Sequence, residues 1–169
     1  MITLFEKYKQ KPDVNSLSDE FWKMVKFANW NKFIKDSKKE DFNYIDTFEK
    51  VKFKIFSKYS YEEVHNFFTD CHTLYYQLYD YFKDIWLDKK YSDFMPSDDG
   101  YVDFISSIIG KGKEFTKKCI DDEKVFIKMA KNEDYAENFV YFLQSDEDEY
   151  WEIRSLFDPL VRDTRKFDI

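Results

Sequence analysis

A chain of 169 residues that is 43% apolar, 36% charged and 21% aromatic is sized and composed for one folded domain with a heavily charged surface. Its net charge of −7 opposes broad electrostatic contact with nucleic acid or an anionic membrane, because both need a basic face. Cys71 and Cys119 make no disulfide framework, no CxxC pair occurs, and nowhere do about 18 apolar residues run together, so neither a stapled scaffold nor a membrane span is expected.

The opening MITLFEKYKQKPDVN lacks the long apolar core and small-residue cleavage site of a secretory signal, so the expected compartment is the cytoplasm. Residues 1–17 read as an N-terminal arm, mobile or loosely docked, because Pro12 and the run Asp13–Val14–Asn15–Ser16 break helix. Residues 18–160 read as a single helical domain and 161–169 as a C-terminal tail. Ser18 precedes an amphipathic run through Phe21, Trp22, Val25, Phe27, Ala28, Trp30, Phe33 and Ile34, with Ser18 as N-cap and Asp19 and Glu20 at the positive end of the helix dipole. A second helix carries Phe42, Ile45, Phe48, Val51 or Lys52, Ile55 and Phe56 on a helical period.

Ser60–Tyr61–Glu62–Glu63 is a capping box. It opens the longest element, in which Val64, Phe67, Phe68, Cys71, Leu74, Tyr75, Leu78, Tyr81, Phe82, Ile85 and Trp86 keep a three-four spacing. At 1.5 Å per residue this is a rod of roughly 40 Å, the spine of the fold. After a connection over 88–96, Ser97–Asp98–Asp99–Gly100 starts a helix through Tyr101, Phe104, Ile105, Ile108 and Ile109, which ends or kinks at Gly110 and Gly112. Helical spacing resumes at Phe115, Cys119 and Ile120, turns at Asp121–Asp122, and continues through Val125, Phe126 and Met129. Tyr135, Phe139, Val140, Phe142 and Leu143 predict another helix, and Tyr150, Trp151, Ile153, Leu156 and Phe157 follow in the tail. The fold expected is all-α, a single-domain bundle of about six to eight helices around one long central helix.

Composition supplies an aromatic excess, 19 Phe, 13 Tyr and 4 Trp, that is read either as biased usage filling the core with rings or as a binding surface. His65 and His72 lie seven apart, about 10 Å along the helix, which is too far for one metal ion to bridge, and both cysteines read as buried structural thiols. No P-loop, GxGxxG, HExxH or GxSxG occurs, and Gly110–Lys111–Gly112–Lys113 lacks the strand and the ending of a phosphate loop. No cofactor or metal is implied.

Asp98, Asp99 and Asp103, with Ser97 and Gly100, form the most pointed cluster. Three carboxylates near a helix start could hold Mg²⁺ or Ca²⁺, but the plainer role is capping and dipole complementation. The run Asp146, Glu147, Asp148 and Glu149, next to Tyr150 and Trp151, reads as a patch for a basic protein partner. Lys50, Lys52, Lys54 and Lys58 form a partial basic stripe that the net charge opposes as a nucleic-acid site.

Four segments together resemble a bacterial family, domain of unknown function 4240. They are Phe21–Trp22, Tyr61–Glu62–Glu63–Val64, Tyr79–Asp80–Tyr81–Phe82–Lys83–Asp84–Ile85–Trp86, and Ser97 to Phe104 followed by an apolar run into Gly112 and Phe115. The resemblance spans roughly residues 20–125. It implies a helical fold and marks the Ser97–Phe104 motif, without supplying an activity. The expected function is a non-enzymatic protein-binding module, such as an immunity protein neutralising a basic toxin or a regulatory adaptor. The alternative is a small enzyme or a ligand- or metal-binding domain built on Asp98, Asp99 and Asp103. The oligomeric state is not encoded in any of these features.

Overall fold

Side-chain caps write most of the helix starts. In the computed structural model, which describes residues 10–137, 139 and 148–151, Ser18 Oγ accepts from the Phe21 N–H at 3.1 Å and starts α1, Asp19–Ala28. Asn43 accepts from the Asp46 N–H at 3.1 Å and starts α3, Tyr44–Lys58. Ser60 and Glu63 close a reciprocal capping box, at 3.2 and 2.7 Å, over the start of α4, Tyr61–Trp86. Ser97 caps α5, Asp98–Gly110, and Asp122 caps α7, Glu123–Lys131. Two short helices, α2 (Trp30–Asp36) and α6 (Lys113–Asp121), start without a side-chain cap.

The described residues thus form an all-helical bundle of seven α-helices without strands. The 26-residue α4 is its spine and buries Val64, Phe67, Cys71, Leu74, Tyr75, Leu78 and Phe82 on one face. The most enclosed helix is α5, which packs against α1, α2, α4 and α6 and buries every residue from Phe104 to Gly110. Rings fill the space around it: Trp86 stacks on Tyr101 at 4.3 Å and Phe82 on Phe126 at 4.2 Å. At Gly110 an added Cβ would lie 2.6 Å from the Trp30 ring and 2.9 Å from Phe139, so glycine is what admits the indole. Trp30 Nε1 donates to Ser107 Oγ, which itself donates to the Ala136 carbonyl and accepts the Ala136 N–H. No helix among the described residues is long and apolar enough to cross a membrane.

Local structure departs from the sequence expectations in several places. The single run expected from Ser18 to Ile34 is two helices, broken at Asn29 in the left-handed region (φ 54°, ψ 50°), a conformation that asparagine tolerates. The described part of the expected arm is docked: Pro12 and Val14 are buried, a 3₁₀ turn spans Val14–Ser16, and Trp22 Nε1 donates to the Val14 carbonyl at 3.2 Å. Tyr135 and Ala136, where another helix was expected to begin, are not helical, and most of that span (138 and 140–147) lies outside the described residues, as do 152–169. Between the two alternatives on α3, it is Lys52 that turns inside, while Val51 is half-buried.

Candidate functional site

The two clusters singled out in the sequence come to different ends. Ser97 is exposed and accepts from the Gly100 N–H at 3.4 Å; Asp98 and Asp99 are exposed in the first turn of α5 and Asp103 is half-buried. This is the geometry of a capped helix start, with Asp98 and Asp99 at its positive end. Among the described residues no group of three or more His, Cys, Asp or Glu side chains is placed to hold a metal ion. Gly100 lies against Pro96 and Ser97, with an added Cβ meeting Pro96 at 3.1 Å.

Only part of the acidic run lies among the described residues. Asp146 and Glu147 lie outside the described residues, and Asp148 is exposed. Glu149, however, forms an ion pair with the buried Lys52, which removes Lys52 from the basic stripe. Tyr150 is a core residue, 1% exposed, with its hydroxyl donating to the Tyr59 carbonyl at 2.7 Å and its ring against Phe56 and Tyr61. Trp151 is half-buried against Tyr150. A ring enclosed on all sides offers no contact area to a partner, so Tyr150 is structural.

Sulfur and imidazole groups are equally quiet. Both cysteines are buried free thiols; burial pushes Cys119 up to about 12 and raises Cys71, so neither is a thiolate at neutral pH. His65 is exposed, and half-buried His72 is held below its ordinary value by burial. The Gly110–Lys111–Gly112–Lys113 segment joins α5 to α6, and its Lys111 is spent on a buried ion pair with Asp134 at 2.7 Å.

A concavity lies where the first turns of α1 meet the start of α4. It is a cleft of about 260 Å³ with Phe21, Met24 and Phe67 in its floor, the two phenyl rings stacked at 5.0 Å. Around it stand Glu20, Glu63 and Asp70, with Lys23 and Tyr59 completing the wall. Two of the three carboxylates arrive for a local reason. Glu20 lies in the first turn of α1 and Glu63 closes the capping box of α4, both at positive helix ends. Asp70 sits two turns further along α4, one residue before buried Cys71, and makes no hydrogen bond or ion pair among the described residues.

Electrostatics distinguish the three. A backbone N–H and Lys23, 3.4 Å away, hold the Glu20 carboxyl below the usual carboxylate range. Burial alone raises that of Asp70. The cleft therefore holds one carboxylate that is partly stripped of water and makes no ion pair among the described residues. Glu20 and Glu63 are visible in the sequence only as cap and dipole residues, and Asp70 stands in no motif, so the cleft is not legible there. No family model, curated protein or solved structure matches this chain.

Proposed function

We propose that this chain is a cytoplasmic, non-enzymatic protein-binding module, of the kind an immunity protein or a regulatory adaptor represents, and that the α1–α4 cleft takes a lysine or arginine side chain from a basic partner. The observation that carries the reading is an apolar floor beneath three carboxylates, one of them partly desolvated and without an ion pair among the described residues. A long basic side chain lays its methylenes on such a floor and brings its charged head to the rim. The approaching cation meets Asp70 where water screens the pair least, and the overall charge of −7 steers a basic partner inward. A diverged relationship to the domain of unknown function 4240 family belongs to the same proposal.

The test is fluorescence anisotropy with a labelled lysine- and arginine-rich peptide, and an acidic peptide as control. Binding of the basic peptide, weakening as salt screens it, is expected. The double variant Glu20→Gln/Asp70→Asn should weaken it by about tenfold, the size of one good charge contact. Glu63 is left in place because it caps α4. An Asp98→Asn/Asp99→Asn variant should bind like the parent. Full affinity in the cleft variant, or loss in the Asp98/Asp99 variant, would move the site away from the cleft.

A further inference from the structure

Where the last turn of α1 runs into α2 and faces α3, a second groove of about 300 Å³ has the opposite character. Its floor is Phe27, Ala28, Phe33 and Val51, and its rim carries Lys32, Lys50 and Lys54. Withdrawal of Lys52 into its ion pair leaves Lys50, Lys54 and Lys58 exposed at four-residue intervals along α3, a ridge with about 6 Å between successive charges. The one carboxylate in the lining, Asp36, is already bridged by Lys32 at 2.7 Å and Lys39 at 2.6 Å, contacts that hold it ionised down to about 2. The groove is thus locally positive on a chain whose net charge is −7.

We infer that this groove docks an acidic segment of a second protein, with one apolar side chain lying against the half-buried Val51 and the flanking carboxylates meeting the exposed Lys50 and Lys54. The observations favour a polypeptide over single-stranded nucleic acid, whose bases need open ring faces to stack on. Here the Phe27 ring is covered by the ammonium groups of Lys54, 4.7 Å from its centroid, and Lys58, at 4.1 Å. Phe33 is 2% exposed and stacked on Trp30 at 4.3 Å. An aliphatic side chain between two acids meets the apolar lining and the basic rim together. The groove is distinct from the acid-rimmed cleft, so this inference stands or falls apart from the function proposed above.

The full chain would be titrated, at low salt, with a labelled peptide carrying one leucine flanked by aspartates and glutamates. Saturable binding is expected, lost when leucine becomes serine and weakened by about tenfold or more in Lys50→Glu/Lys54→Glu. Lys50→Glu alone, which disturbs no ring contact, should give part of that loss with an unchanged circular dichroism spectrum and melting temperature. Binding of the basic peptide should be unaffected by these lysine variants. Unchanged acidic-peptide affinity in the folded Lys50→Glu and double variants would overturn the inference. So would tighter, competing binding of an oligothymidylate, or self-association abolished by the same substitutions, which would make the occupant nucleic acid or a second copy.

Discussion

The cleft at the first turns of α1 and the groove at its last turn are close in volume, about 260 and 300 Å³, and both are floored by phenylalanine rings. Their rims are opposite, with Glu20, Glu63 and Asp70 around one and Lys32, Lys50 and Lys54 around the other. Helix electrostatics account for part of the acidic rim, Glu20 and Glu63. Acids gather at positive N-terminal ends, as Glu20 does on α1 and Glu62 and Glu63 do on α4, while Lys26 and Lys58 close α1 and α3. Packing then brings two N-terminal ends to one concavity and leaves the lysine-bearing half of α3 facing the other. The net charge of −7 matches the sign of the cleft and not that of the groove, so it is a poor guide to partners at the scale of one side chain.

Substitutions that separate the two regions sharpen this comparison. The largest effect is expected from Gly110→Ala, whose new methyl lies 2.6 Å from a fully buried indole; overpacking of this kind costs about 3 kcal/mol. Because Trp30 opens α2, the lysine groove should lose acidic-peptide affinity while the cleft at the other end of α1 keeps its own ligand, as paired titrations and a urea melt would read. Glu149→Ala strands the buried Lys52 ammonium and should cost about 2 kcal/mol, discounted because Glu149 is itself 41% exposed. Adding Lys52→Met should recover most of that loss in the same urea melt.

Ser60→Ala removes half of the capping box and should destabilise the chain by about 1 kcal/mol with an unchanged m-value. The Glu63 carboxylate keeps the bond it accepts from the backbone N–H of residue 60, so neither basic-peptide nor acidic-peptide binding should change. The smallest effect is expected from Asp70→Asn. Burial raises the Asp70 carboxyl, so the folded state holds its proton more tightly than the unfolded chain and ionisation opposes folding. The cost is absent below the ordinary carboxylate range and complete above the raised folded value. The asparagine variant should therefore melt slightly higher than the parent at pH 7, with the difference closing as pH falls through the carboxylate range. An equal difference at both ends of a pH series would show that Asp70 is not desolvated.

Local features were legible because their causes are local. Ser18, Ser60 and Ser97 each bond a backbone N–H three residues on, so their caps and the helices they open can be read from short windows. The uninterrupted spacing of α4 is equally self-contained. The break at Asn29 was not legible, because neither Gly nor Pro marks it and asparagine adopts the left-handed conformation there under the constraint of packing Trp30 beneath Gly110. Glu149 and Tyr150 were misread for a related reason. An acidic run resembles a solvated face, and their partners Lys52 and Tyr59 stand 97 and 91 residues away. Asp70 carries no local mark at all, since only the approach of α1 gives it a cleft to line.

By itself the sequence determined that this is a helical chain and where most of its helices begin, while leaving its aromatic excess open between core and binding surface. Those outcomes follow from bonds and periodicities within a few residues. Which rings are enclosed, which lysine is buried, and which carboxylates share a cleft were decided by the tertiary structure alone. Burial and charge pairing are set by whichever surfaces meet, and here the meeting surfaces come from helices scores of residues apart.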